Sequence, residues 1–295
     1  MENDAKTRAR QLYVEALEKE DAEEDAALSL YLESLALHRD QPDALYNVGL
    51  IYKYRRQWKE SLRYNLLAAE LRPDDDATNW NVGIAATALR EWRVARAAWK
   101  RAGIKIEEGD EPIRGNFGFT PVRLNGFDVS DAMADVVWAT RLSPVTARVE
   151  NIPLPESRFR FGDVVLHDGA PNGTRLSATG AECSVFDVFE LFEASRFVTF
   201  DTELLVPESD AIDALRSLCA ADGVELEDWT ANVRILCRAC SEGRPHEEHD
   251  HEAQSDEWVV KRRVGLASPD ESKVRDVLEK WSAQGKGRIV ESTEP

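Results

Sequence analysis

Cysteine is scarce in this chain. Four in 295 residues are too few for a disulfide framework. No apolar run approaches the roughly 18 residues that a membrane span needs. The opening "MENDAKTRARQLYVEALEKE" lacks the basic start and apolar stretch of a secretion signal. A soluble, cytoplasmic protein is expected. Also missing are a Gly-rich phosphate loop, an HExxH helix and a GxSxG elbow, so no catalytic residue is assigned and a non-enzyme is expected. Asp131, Asp135 and the Glu107–Glu108 pair read as surface acids. Trp138, Trp229, Trp258 and Trp281 read as core or interface residues, and Cys183 and Cys219 as small core residues.

A positive excess is absent as well. The formal charge is −18, which repels phosphate backbones and argues against nucleic acid as a ligand. Its distribution is uneven. Residues 1–104 hold 16 Lys and Arg against 18 Asp and Glu, whereas the remainder holds 21 against 37. Within the first part, residues 44–104 are mildly basic, with 11 basic and 6 acidic side chains. A basic protein partner would be drawn to the second half.

What is present first of all is a repeat. "YNVGLIYKYRRQWKESLRYNLLAAELRP" returns in altered form as "WNVGIAATALREWRVARAAWKRAGI". Tyr46 aligns with Trp80, Asn47 with Asn81, Val48 with Val82, Gly49 with Gly83, Trp58 with Trp92 and Ala68 with Ala102, every pair at the same spacing. Leu45, Val48, Ile51 and Tyr52 follow helical periodicity, as do Trp58, Leu62, Leu66 and Ala69. Gly49 lets a second helix pack close, and Pro73 ends that helix. The shared period, about 34 residues, and the residue pattern resemble the tetratricopeptide repeat. A degenerate earlier copy, with Glu15 in the glycine's place and Ala27, Tyr31 and Ser34 on its second helix, gives three helical hairpins. The first domain is placed at residues 1–104.

The resemblance implies that the first helix of each hairpin lines a groove for a peptide or partner protein. It marks Tyr46, Asn47, Leu50, Lys53, Trp80 and Asn81 as partner-binding residues. An asparagine amide there can both donate to and accept from a peptide backbone. Lys53, Arg55, Arg56, Arg90 and Arg93 would supply a positive field, unless they are merely solvated.

From residue 105 the pattern changes. A Gly- and Pro-rich linker leads into short β-rich runs over 105–195, the spacing of a small antiparallel β domain, either sheet or barrel. "HDGAPNG" reads as a turn, with His167 a structural or surface residue beside Asp168. The stretch with "NIPLP" and "GDVV" resembles a group of uncharacterised bacterial domains, which implies a bacterial source. Over 196–295 the order strand, helix, strand, then strand, helix, strand predicts a ferredoxin-like α+β domain.

Between its halves lies "CRACSEGRPHEEHDH", residues 237–251. Cys237 and Cys240 in CxxC spacing can grip one edge of a zinc tetrahedron. His246 and His249 can close the other, with His251 as a spare ligand. The acids Glu247, Glu248, Asp250 and Glu252 also suit a cation. A structural zinc knuckle is the expected cofactor site, with a metal-free surface loop and a redox pair as the other readings. The expected function is a non-catalytic adaptor or scaffold binding a peptide or protein through the repeat groove. The alternatives are an immunity-type inhibitor whose acidic surface neutralises a basic toxin, and an enzyme in the second half served by the repeats.

Overall fold

The structure is a computed structural model that describes residues 2–20, 22–127, 135–177, 179–232 and 258–293. The chain divides into two compact units, Met1–Arg114 and Gly115–Pro295.

The first unit is six helices: α1 (Glu2–Leu17), α2 (Glu24–Leu37), α3 (Pro42–Tyr54), α4 (Trp58–Leu71), α5 (Asp76–Ala88) and α6 (Trp92–Arg101). Pro42 sits in the first turn of α3, where its missing N–H costs nothing. Arg56 and Arg90 close the second and third hairpins in the left-handed region, with φ of 56° and 62°. Their backbone bonds match, Arg56 N–H to Lys53 C=O and Arg90 N–H to Thr87 C=O. The crossings depend on the glycines. A Cβ on Gly49 would lie 2.3 Å from Asn65 Nδ2, and one on Gly83 would lie 2.6 Å from the Trp99 ring. In the first hairpin Glu15 is exposed. The buried small residue there is Ala16, one position on, packed in a cluster with Tyr31 and Ala27.

Residues 105–114, part of the expected linker, are strapped onto α6. The Arg96 guanidinium donates to the carbonyls of Glu107 at 2.7 Å and Glu111 at 2.9 Å. Arg93 pairs with both oxygens of Asp110, and Lys100 with Glu108.

The second unit opens with a closed barrel of β1 (Phe119–Leu124), β2 (Asp135–Arg141), β3 (Thr146–Val149), β4 (Val164–Leu176) and β5 (Glu182–Glu193). Val122, Leu124, Val137, Ala139, Ala147, Val149, Val165 and Val188 fill it. Several expectations are corrected. The sheet is not wholly antiparallel, because β1 closes the barrel against β5 in parallel, with Arg123 opposite Asp187. Nor does "HDGAPNG" turn the chain: it lies inside β4, paired with β5 through register shifts at His167 and Pro171. Bulges take up the turn-prone residues, and the reversal comes at Ser177, whose N–H bonds Ala181 C=O. Asp135 is not a free surface acid. It accepts the Leu154 N–H at 3.1 Å, and burial raises its pKa. Asp131 lies outside the described residues. Cys219 is buried as expected, but Cys183 on β5 is partly exposed, since its neighbours Glu182 and Ser184 are exposed too.

β6 (Val198–Leu205), α7 (Ser209–Asp222), β7 (Glu225–Asp228), α8 (Trp229–Asn232), β8 (Lys261–Ser268), α9 (Glu271–Ala283) and β9 (Arg288–Thr293) follow. The strands pair in the order β7-β8-β6-β9, antiparallel throughout, the order of a split β-α-β-β-α-β pattern. Helices α7 and α9 bury one face, where Leu215, Val277 and Trp281 meet Phe200, Leu204 and Leu266. The other face meets the barrel: Trp229 Nε1 donates to Ile152 C=O at 2.8 Å, and a Cβ on Gly265 would lie 2.5 Å from the Trp229 ring. Arg263 bridges Asp201 and Glu156 across this contact.

Candidate functional site

The first helices of the second and third hairpins, α3 and α5, carry the residues marked for partner binding. Tyr46, Leu50 and Trp80 are half-buried. Trp80 stands edge-on to Trp99, ring centroids 5.0 Å apart, which fixes its orientation on α5. Together they give α3 and α5 aromatic positions one repeat apart, with Leu50 one turn on from Tyr46 along α3.

The polar members behave differently. Asn47 Nδ2 donates to the Tyr31 hydroxyl at 2.9 Å, and that hydroxyl donates to Glu20 Oε1. Burial and the Glu20 carboxylate raise the Tyr31 pKa, so the hydroxyl keeps its proton and the relay its direction. The repeat equivalents of Asn47 and Tyr31 are Asn81 and Asn65. Asn81 is 4% exposed, and its Nδ2 and the Asn65 Oδ1 are both buried without a hydrogen-bond partner. One asparagine is therefore tied into the preceding hairpin, and the other keeps an unmet donor.

Lys53 is not on open surface: it is 3% exposed, its ammonium 4.2 Å from the centroid of the Tyr54 ring. Arg55 is engaged by Glu24 and Asp25 and Arg93 by Asp110, while Arg56 and Arg90 stand in the hairpin turns. Two of the five cations expected along the groove, Arg55 and Arg93, are thus neutralised by acids of the same unit. Sequence reading missed this because the acids that neutralise Arg55 lie in the preceding repeat, on α2.

In the second unit His167 is buried at the barrel end. Its Nδ1 is 2.7 Å from Asp168 C=O, an acceptor only, so Nδ1 carries the proton. Nε2 is buried without a hydrogen-bond partner. Burial, aided by Arg141, pushes the His167 pKa down to about 4. No serine or cysteine nucleophile is hydrogen-bonded to it among the described residues.

Cys237, Cys240, His246, His249 and His251 lie outside the described residues. Among the described residues no group of three or more His, Cys, Asp or Glu is placed to hold a metal ion. The chain on either side of that stretch is tied together. Arg262 Nε donates to Asp228 Oδ2 at 2.8 Å, its Nη1 to Val259 C=O at 3.1 Å, and its guanidinium lies 4.0 Å from the Trp258 ring centroid. No helix among the described residues is long and apolar enough to cross a membrane.

No protein-family model and no curated protein matches the chain. Among solved structures it is similar to the tetratricopeptide domain of Sgt2 from Aspergillus fumigatus, 20% identical, over 32% of this chain and 63% of that one, with a TM-score of 0.29. The chain thus spans less than two thirds of the Sgt2 domain. It is also similar to the first tetratricopeptide domain of Spaghetti (RPAP3) bound to an HSP90 peptide, 17% identical, over 33% and 78%, TM-score 0.31. A hypothetical protein from Neisseria gonorrhoeae aligns at 10% identity over 61% of this chain and 94% of its own, TM-score 0.26.

Proposed function

We propose that this is a non-catalytic adaptor that binds a peptide or protein partner through the surface of α3 and α5. The observation that carries it is the repeat of Tyr46 as Trp80, aromatic and half-buried at one level of two successive first helices. Rigid aromatic side chains supply contact area at small entropic cost. The test places a photo-crosslinking residue at Leu50 and, as a control, at the exposed Arg101 at the end of α6, in cells of the source organism. The adaptor reading expects one set of partners captured at Leu50 and lost with Tyr46→Ala and Trp80→Ala. Capture that ignores both substitutions sinks it.

A second reading rests on charge. Residues 105–295 hold 37 acidic against 21 basic side chains, which suits an inhibitor of a basic enzyme. Such a partner would be shed at high salt and would be indifferent to Tyr46 and Trp80.

We also infer a structural zinc on Cys237, Cys240 and two of His246, His249 and His251. The support is the ligand spacing and the Arg262 tie, which brings the two chain ends flanking that stretch to one place. Elemental analysis of the purified full chain should find about one zinc per chain, falling with Cys237→Ser/Cys240→Ser. A metal-free wild type refolded in zinc would end this reading.

A further inference from the structure

The face of α4 turned away from the hairpin interior has a charge order that depends on direction. At about 100° per residue Lys59, Arg63, Leu66, Leu67 and Glu70 fall on one stripe. Lys59, Arg63, Leu67 and Glu70 are exposed and Leu66 is half-buried. Along the stripe the order is basic, basic, apolar, apolar, acidic, and Asp74, also exposed, continues the acidic end just past the helix. Leu67 is 38% and Leu71 41% exposed. These leucines line a cleft of about 900 Å³ against Leu32 and Leu35 of α2.

A helix with cations at one end of a stripe and anions at the other repels a parallel copy of itself and attracts an antiparallel one. Centred between Leu66 and Leu67, a two-fold axis sets Arg63 level with Glu70 of the second copy. Leu66 then meets Leu67 across the axis. Each contact occurs twice, as an isologous interface requires. Neither a strongly basic nor a strongly acidic partner is matched so well, because the two halves of the stripe carry opposite charge.

We propose that the protein forms a two-fold dimer through antiparallel packing of α4 against α4 of a second copy. The leucine seam drives association, and the Arg63–Glu70 pairs set its direction. These rim charges are solvent-accessible, so the interface weakens as salt rises. The first-helix surface proposed for partner binding is not used, and the two proposals stand or fall separately.

Sedimentation equilibrium of the full chain tests this at low and high salt. Wild type should reach about twice the chain mass of 33.2 kDa at low salt, with a weaker constant at high salt. Arg63→Glu alone and Glu70→Arg alone each face like charges across the axis, and each should weaken the dimer roughly a hundredfold. Mixed in equal amounts, the two variants regain opposite charges at both pairs. The introduced glutamate of one then faces the introduced arginine of the other, and the native Glu70 of the first faces the native Arg63 of the second. Dimerisation should return. Circular dichroism checks that each variant keeps its helices. A wild type that stays monomeric overturns the proposal. So do single variants that dimerise unchanged, and so does a mixture that stays monomeric although its components are folded.

Discussion

Gly83 lies against the indole of Trp99: a Cβ added there would come within 2.6 Å of three ring atoms. Trp99 is fully buried and cannot swing aside. Alanine would favour the helix by about 1 kcal/mol, but overpacking a tight core costs about 1–3 kcal/mol and at times more. With the ring unable to yield, the upper end of that cost applies, and Gly83→Ala should lower stability by a net of about 2 kcal/mol in urea unfolding. Glu15→Ala, at the aligned but exposed position of α1, should stay within about 0.5 kcal/mol of wild type. A Gly83→Ala protein as stable as wild type would mean that the crossing does not depend on the missing side chain.

The closure of the barrel rests on a pair drawn from its first and last strands. Arg123 Nη1 donates to Asp187 Oδ1 at 2.9 Å, with both side chains 7% exposed. Asn172 Nδ2 donates to the other carboxylate oxygen at 2.6 Å. Removing one partner strands a buried charge, so Asp187→Ala should cost about 3–5 kcal/mol. Replacing both with leucine should recover most of that loss. A double variant as unstable as the single one would show that the pair is needed for more than its charges.

These cases show how far the sequence carries. The crossings on Gly49 and Gly83 were legible because a local contact, returning with each repeat, leaves a repeated mark. The alternation of strand and helix over residues 198–293 was legible because each element carries its own periodicity. The parallel closure at Arg123 and Asp187 was not, since no local pattern links residues so distant. "HDGAPNG" misled because its turn-forming residues were outweighed by pairing with β5. Lys53 misled because charge was read as exposure, whereas a lysine stem can pack along its own helix beside a ring. The aromatic half of the candidate site was plain from the alignment of Tyr46 with Trp80. The tying of Asn47 to Tyr31 required knowing which hairpin lay behind it.

The described cysteines should separate by reactivity. Cys219 is 1% exposed, and burial pushes its thiol up to about 12, so little thiolate forms at neutral pH. Cys183 is partly exposed. Brief alkylation of the native protein followed by peptide mapping should modify Cys183 and spare Cys219. Equal labelling of both would contradict the packing of α7 against the sheet.

His167 should make the barrel acid-sensitive at mild pH. Its folded pKa is about 4, against an ordinary value near 6.5 in the unfolded chain. Burial is the main cause, Arg141 opposes a second positive charge, and the Asp168 carbonyl and carboxylate favour protonation less strongly. Between these two values the unfolded chain binds the extra proton, so stability falls as pH falls. The contribution is whole above about 6.5 and is lost progressively down to about 4. The loss amounts to something on the order of 3 kcal/mol. Urea midpoints at pH 7.5 and 4.5 measure it when wild type is compared with His167→Gln, which cannot titrate. Other groups titrate alike in both proteins and cancel. The glutamine protein should be less stable at pH 7.5, where it lacks the fitted ring, yet lose less between the two pH values. Parallel losses in the two proteins would mean that His167 is protonated in the fold without penalty and that its burial is not maintained in solution.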